Sequence, residues 1–123
     1  PRIKVIQKLY NVLLNPDCTI DYPKGQYKKF IKDVVTGTLE RTNLIEEKII
    51  IHLSKDINLK KTDKLLKIIL FAAIFELMFK HNTPKKVIIS EYLLAAEHFL
   101  EKIQIGYLNA ILDKIAKELR KEE

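Results

Sequence analysis

The sequence predicts a small all-α protein with about six to seven helices. Only three glycines and four prolines occur among its 123 residues. Tight hairpins and phosphate-binding loops both use glycine, which adopts positive φ without strain, so this composition favours helices joined by short loops. Apolar residues recur at steps of three and four along most of the chain, as one buried face of a helix requires. No stretch of four or more residues has the alternation of a strand.

The first two helices are predicted from apolar residues at helical spacing. Residues 2–14 carry one such row, and the Asn-Pro-Asp sequence of residues 15–17 then predicts the end of the helix. A loop is expected up to Gly25. The spacing resumes at Tyr27, and the second helix is expected to extend towards Arg41.

The third and fourth helices are predicted from their start signals and from hydrophobicity. Asn43 and Glu46 have the spacing of a capping box, and that helix is expected to end near Lys55. Thr62 is predicted to cap the fourth helix, residues 63–80, which is apolar on nearly all sides and is therefore predicted to be the central core helix. Its apolar run of about fifteen residues is shorter than the roughly twenty that span a bilayer, so no membrane span is expected.

The last third of the chain predicts two more helices. Thr83 followed by Pro84 is the pattern of an N-cap and a first helical position, because proline lacks the N–H that is free there. After a break around residues 100–104, the last helix follows, with Asp113 and Lys117 as an expected ion pair on its solvent side. Its inward row consists of Leu108, Ile111, Leu112, Ile115 and Leu119.

Charge and cysteine content restrict the class of protein. The length fits one domain, residues 1–123. The net charge is +6, which attracts a polyanion such as RNA, although charge alone is weak evidence for binding. Cys18 is the sole cysteine, so no intramolecular disulfide can form, and no secretory segment opens the chain. A cytoplasmic protein is expected.

The usual catalytic and metal-binding patterns do not occur in the sequence. Gly25, Gly37 and Gly106 are too far apart for a phosphate-binding loop or a dinucleotide turn. Neither serine lies in a nucleophile elbow, and the three histidines and the cysteine lack zinc-ligand spacing. We therefore expect a non-enzymatic protein with no catalytic residues, no metal site and no cofactor.

Four segments of the sequence resemble the NusB family of bacterial transcription antitermination factors. Residues 6–10 (IQKLY) resemble the family pattern AVQALY, and residues 75–77 (FEL) resemble YEL. Residues 83–91 (TPKKVIISE) resemble VPxxVAINE, and residues 107–116 (YLNAILDKIA) resemble FVNGVLDKIA. The segments stand in the family's order, with the VTG of residues 35–37 in the expected place between them.

The resemblance implies both a fold and a function. The fold would consist of two small helical bundles packed together. A NusB protein pairs with the ribosomal protein NusE, and the two bind the boxA element of nascent RNA and help RNA polymerase to read through terminators during ribosomal RNA synthesis. The expected partners are therefore boxA-like single-stranded RNA, NusE and the RNA polymerase antitermination complex, with a homodimer as a further candidate.

The resemblance also implies roles for particular residues. Arg2 corresponds to the end of the family's arginine-rich N-terminal arm, which contacts RNA phosphates, and the absence of an initiator methionine before Pro1 suggests that more of the arm precedes it. Lys4 is an adjacent basic candidate that matches no motif position. Tyr107 matches a phenylalanine that meets RNA, and Tyr10 matches a tyrosine implicated in partner function. Stacking on unpaired bases and cationic contact with phosphates are the interactions that single-stranded RNA offers most readily.

The sequence departs from the family pattern at several positions. Where relatives often carry an acid-base pair and then an arginine in the core helix, this chain has Leu66 and Lys67 and then Phe71. Lys67 is the remaining candidate for partner binding there. Ile103 replaces an acidic residue common before the last helix, and Gly106 replaces a basic residue. These changes leave the fold expectation intact and bear on the detailed contacts with NusE and RNA.

Some candidates also have a purely structural interpretation. Tyr10 fits an amphipathic core position as well as a contact role. Glu76, inside a nearly apolar helix, is predicted to be structural, and it must find a hydrogen-bonding or cationic partner or shift its pKa. Lys28, Lys29 and Lys32 are predicted to form a solvated helix face.

Two alternative functions come from other classes of protein. Helical domains of this kind precede the catalytic domain of rRNA cytosine methyltransferases, and the chain could be such an RNA-recognition domain. Nothing in the sequence would bind the methyl donor, and the charged end at residues 120–123 resembles a natural stop. The other alternative is a structural helical dimer that uses an exposed apolar face.

Overall fold

The computed structural model describes residues 1–22 and 24–121, so the last two residues of the charged end lie outside the described part. Every regular element of that part is a helix, which confirms the all-α prediction. The helices are α1 (Arg2–Leu14), α2 (Lys28–Glu40), α3 (Thr42–Leu53), α4 (Lys64–Phe79), α5 (Lys85–Ala96) and α6 (Lys102–Leu119). No helix in the described ranges combines the length and apolar character needed to cross a membrane.

Helix α4 lies at the centre of the fold. Leu66 and every residue from 69 to 77 are buried. The helix packs against all five of the others. A helix that is apolar on all sides needs neighbours on all sides, and the prediction of a central core helix is confirmed.

The other helices form two groups around α4. In one group α4 packs with α1 and α2, which also contact each other. In the other it packs with α5 and α6, again with every pair in contact, and α3 lies against α2, α4 and α6. This arrangement agrees with the expected two small bundles, with α4 shared between them.

The predicted cap of α4 is wrong by one residue. Asp63 is the cap, and its Oδ2 accepts a hydrogen bond from the backbone N–H of Leu66 at 3.1 Å. Thr62 instead donates its hydroxyl to the backbone oxygen of Asn58 at 2.6 Å. An N-cap needs an extended backbone, and Asp63 has it with φ −52° and ψ 137°.

The predicted capping box of α3 is also wrong. Helix α3 begins at Thr42, and only Arg41 separates it from the end of α2. Asn43 therefore already lies inside the helix, where it cannot adopt the extended conformation of a cap and form a box with Glu46.

The predicted cap of α5 is wrong by one residue, and α6 begins at Lys102, inside the predicted break around residues 100–104. Pro84, with an extended backbone, occupies the cap position of α5, and Thr83 lies before it. The capping box that the structure does contain opens α6, where the side chain of Gln104 accepts a hydrogen bond from the backbone N–H of Glu101 at 3.0 Å.

The buried side chain of Arg120, just after α6, closes the end of α4. Its guanidinium donates to the backbone oxygens of Leu77 at 2.7 Å, Thr83 at 2.9 Å, Lys80 at 3.0 Å and Glu76 at 3.3 Å. The last carbonyls of a helix lack partners within the helix and carry partial negative charge, so a cation there stabilises the helix end.

Candidate nucleic-acid interface

Tyr107 lies near the start of α6 with its ring at the surface. The side chain is 41% exposed, whereas the next residue, Leu108, is fully buried and anchors the helix. The Tyr107 hydroxyl donates a hydrogen bond to the backbone oxygen of Asp56 at 2.6 Å. This bond joins α6 to the loop between α3 and α4, and it holds the ring in one place while leaving part of it accessible.

A second bond from α6 fixes the same loop. The ammonium group of Lys114 lies 2.6 Å from Oδ2 of Asp56. Lys114 stands seven residues after Tyr107, so both side chains leave the helix on the same side. The expected ion pair of Asp113 with Lys117 is not formed, although both residues belong to the described part of the chain, and Lys114 pairs across the fold instead.

Arg2 lies in the first turn of α1 and faces the core. Its Nε and Nη2 donate to the two carboxylate oxygens of Glu76 at 3.0 and 2.8 Å. The guanidinium also lies over the rings of Phe30, 4.9 Å from the centroid, and Tyr92, at 5.5 Å. With 11% of its side chain exposed, Arg2 presents little surface to an RNA phosphate, unlike the arm residue that the resemblance implied.

The cluster around Glu76 has altered acid-base properties. Burial acts to lower the pKa of Arg2, but the hydrogen bond and the charge of Glu76 outweigh it, and the pKa is raised. Burial raises the pKa of Tyr92 well above its ordinary value, and the negative charge of Glu76 adds to the effect. Arg2 is therefore charged and Tyr92 neutral at pH 7. Arg2 is the cationic partner that was one of the alternatives predicted for Glu76.

The other candidate residues lie on different elements. Lys4 is exposed and Tyr10 half-buried on α1, which packs against α2, α4 and α5, whereas Tyr107 lies on α6. Lys67 is half-buried on α4, with its Nζ 5.7 Å from the centroid of the Phe71 ring. The fold therefore does not collect the candidates into one compact site.

Lys67 borders a surface cavity. The cavity has a volume of about 610 Å³ and lies between α3, α4 and the loop that joins them. Its lining combines the apolar side chains of Ile49, Ile50, Ile57 and Leu59 with the polar side chains of Glu46, Ser54, Asn58, Lys60 and Lys67. No cluster of three histidine, cysteine or acidic residues that could hold a metal ion occurs in residues 1–22 and 24–121.

The positions that depart from the family pattern are divided between surface and core. Ile103 is 86% exposed, and Gly106 is exposed with open space around it. Leu66 and Phe71 are buried in the core. Ile103 and Gly106 therefore change the surface beside Tyr107, whereas Leu66 and Phe71 change the packing of α4.

Asp56 and Lys114 are the residues near Tyr107 that sequence reasoning missed. The sequence places Asp56 in a polar link and Lys114 on a helix surface, and 58 residues separate them. The sequence carried no signal that pairs them, because Asp56 follows the predicted end of the third helix and Lys114 lies inside the last helix. Pairing them requires the packing of α3 against α6.

Comparison with known proteins agrees with the helical architecture. The sequence model of the NusB family matches residues 2–117 of this chain. The transcription antitermination protein NusB of Nitrobacter hamburgensis is 36% identical over 94 residues, which are 76% of this chain and 59% of that protein. The NusB of Rickettsia akari is 40% identical over 90 residues, or 73% of this chain and 58% of that protein.

A solved structure shows the same fold. It is that of T. maritima NusB, which superimposes with a TM-score of 0.80 at 26% sequence identity and covers 95% of this chain and 89% of that one. The curated relatives match over somewhat more than half of their own length. The family match over residues 2–117 establishes that the chain belongs to the NusB family.

Proposed function

We propose that this chain is a transcription antitermination factor that binds boxA-type RNA together with the ribosomal protein NusE and promotes ribosomal RNA transcription. The family membership supports the class of function, because the relatives carry the name transcription antitermination protein. The observation that carries RNA binding is the exposed ring of Tyr107, held by a hydrogen bond at the surface of a basic protein.

Tyr107 is suited to stack on an unpaired base. Its ring is partly exposed, and its hydroxyl is fixed on the backbone of Asp56, so little side-chain freedom is lost when a base arrives. The neighbouring Gly106 has no side chain to shield the ring. Stacking on an aromatic ring is tolerant of base identity, and each stacked base contributes about 1 to 3 kcal/mol.

The residues of α1 and α4 have different roles in this proposal. Lys4, which is exposed on α1, contacts phosphate. Arg2 acts indirectly, since its bonds to Glu76 fix the start of α1 against the core. Tyr10 and Lys67, both half-buried, contact NusE.

The test is RNA binding by Tyr107 variants, measured by fluorescence anisotropy on a boxA-type oligonucleotide with and without NusE. Tyr107→Ala is expected to weaken binding by about 1 to 3 kcal/mol, and Tyr107→Phe much less, because the face of the ring survives. Tyr27→Ala is a matched control, since Tyr27 is 49% exposed and lies just before α2, on another part of the fold.

Thermal melting of the same variants separates a contact role from a structural one. Tyr107→Ala is expected to melt near the temperature of the wild type. Unaltered RNA binding together with a large drop in melting temperature would assign Tyr107 to the core. A stable homodimer that leaves the RNA unbound, with or without NusE, would contradict the proposal as a whole.

A further inference from the structure

The loop between α3 and α4, residues 54–63, is an ordered segment with exposed lysines. Asn58 organises it, since its side-chain oxygen accepts the backbone N–H of Lys60 at 3.0 Å and its backbone oxygen accepts the hydroxyl of Thr62. Ile57 is buried and anchors the middle of the loop in the core. The side chains of Lys55, Lys60 and Lys61 are exposed.

The two acidic residues of this loop, Asp56 and Asp63, both interact with groups of the neighbouring helices. The carboxylate of Asp56 is paired with Lys114 at 2.6 Å. The carboxylate of Asp63 accepts the backbone N–H of Leu66 and lies at the positive end of the α4 dipole. The charge of Asp56 is therefore paired with a cation of α6, and the three lysines of the loop outnumber its other acidic residue, Asp63.

The same loop is bonded directly to Tyr107. The backbone oxygen that accepts the Tyr107 hydroxyl belongs to Asp56, the residue that follows Lys55. Consecutive Cα atoms are about 3.8 Å apart, so Lys55 lies next to the bonded position, and Lys60 and Lys61 follow four and five residues after it on the same loop. Proteins bind single-stranded nucleic acid through aromatic rings, on which the bases stack, and through cations, which neutralise the backbone. The bond from Tyr107 to Asp56 joins a ring to a loop that carries such cations.

We infer that the loop of residues 54–63 contacts the phosphates of the RNA strand whose base stacks on Tyr107, through Lys55, Lys60 and Lys61. Asp56 and Lys114 are positioning residues, because they hold the loop against α6 at the level of the ring. This inference rests on the proposed function and adds a second RNA-contacting segment to it.

The test compares two double variants of equal charge. Lys60→Ala/Lys61→Ala removes two loop cations, and Lys28→Ala/Lys32→Ala removes two exposed cations from α2, which packs against α1, α3 and α4. Binding to a boxA-type oligonucleotide is measured at several salt concentrations, with NusE present. Each phosphate contact to a single strand contributes about 0.7 to the slope of log affinity against log salt, so the loop variant is expected to lower the slope by about 1.4. The α2 variant, Lys28→Ala/Lys32→Ala, is expected to keep the wild-type slope.

A second comparison tests the positioning of the loop. Tyr107→Phe retains the ring and removes the hydrogen bond to Asp56. In that background the loop variant is expected to change the salt slope by less than in the wild-type background, whereas thermal melting reports any loss of folding separately. If the loop variant changes the salt slope equally in both backgrounds, the phosphate contacts are supported and the positioning role is overturned.

The outcomes separate the inference from the proposed function. If the loop variant keeps the slope of the control while Tyr107→Ala still weakens RNA binding, the loop contact is overturned and the proposed function stands. If the loop variant loses NusE binding with RNA binding of the free chain unaltered, the loop belongs to the protein partner and the inference is overturned. Absence of RNA binding by the wild type, with and without NusE, overturns both.

Discussion

Arg2 and Glu76, 74 residues apart in the sequence, form a paired hydrogen bond between the first helix and the centre of the fold. The carboxylate of Glu76 is fully buried and the guanidinium of Arg2 nearly so. The planar guanidinium matches the carboxylate with two parallel N–H donors, which lysine cannot do. This pair connects α1 to α4 and orients the residues that follow on α1.

Removal of one member of this pair is expected to destabilise the protein. Arg2→Ala leaves a buried carboxylate without its partner, and a loss of about 3 kcal/mol in the free energy of unfolding is expected. Urea unfolding followed by circular dichroism measures it. Arg2→Met combined with Glu76→Leu is expected to recover most of the loss, because no unpaired charge remains. Lys29→Ala, which breaks an exposed pair with Asp33, is the control and is expected to change little.

Substitution by alanine is expected to lower the stability of the protein at Gly37 and to raise it at Gly106. A Cβ on Gly37 would fall on the ring of Phe75, where α2 meets α4, and overpacking of this kind costs about 1 to 3 kcal/mol. Gly106 lies inside α6 with open space around it, so alanine is expected to stabilise by about 0.5 to 1 kcal/mol through helix propensity. Urea unfolding of both variants is the measurement. A Gly37→Ala protein as stable as the wild type would contradict the close packing.

Arg120 is expected to be a major source of stability at the end of α4. Arg120→Ala leaves backbone oxygens of the last turn without their charged donor, and a loss of about 3 kcal/mol is expected. Arg120→Lys is expected to recover only part of it, because one ammonium group cannot reach the same set of oxygens. Hydrogen exchange should be faster at the amides near Lys80 in both variants. Lys121→Ala, at a 75% exposed side chain, provides the control.

Tyr92 is expected to make the fold sensitive to alkaline pH. Its pKa is raised in the folded state above the ordinary value near 10, mainly by burial, so between the two pKa values the folded chain holds a proton that the unfolded chain has lost. The contribution is constant below pH 9, and stability falls above pH 10 by at most about 1.4 kcal/mol per pH unit for this group. Unfolding midpoints between pH 7 and 11 measure it. Tyr92→Phe is expected to have a shallower decline, and an identical decline would exclude Tyr92 as its source.

The existence of the helices and their approximate positions could be predicted from the sequence, because both depend on residues that are close together in the chain. The apolar row of residues 2–14 predicted α1 as the structure has it, and the almost entirely apolar stretch of residues 65–79 predicted the central position of α4. The predicted caps were wrong where several polar residues stood side by side. Which of Thr62 and Asp63 caps α4 depends on the backbone angles of the loop, and composition does not specify them.

The surface around Tyr107 was predicted only in part, because its geometry depends on residues distant in the sequence. The sequence singled out Tyr107 and placed it beside an inward row on the last helix. It could not show that the hydroxyl bonds to Asp56, 51 residues away, or that Lys114 holds the same loop. Such contacts arise when α3 and α6 pack together.

The sequence by itself determined the helical class, the buried helix at the centre and the requirement that Glu76 have a partner. These follow from periodicity and from the cost of burying a charge, which are properties of each segment alone. Only the tertiary structure decided that Arg2 is that partner, that Arg120 closes α4 and that the α3–α4 loop lies against Tyr107. Each of these depends on which surfaces meet when the helices pack, and helical periodicity specifies that a face is buried without specifying against what.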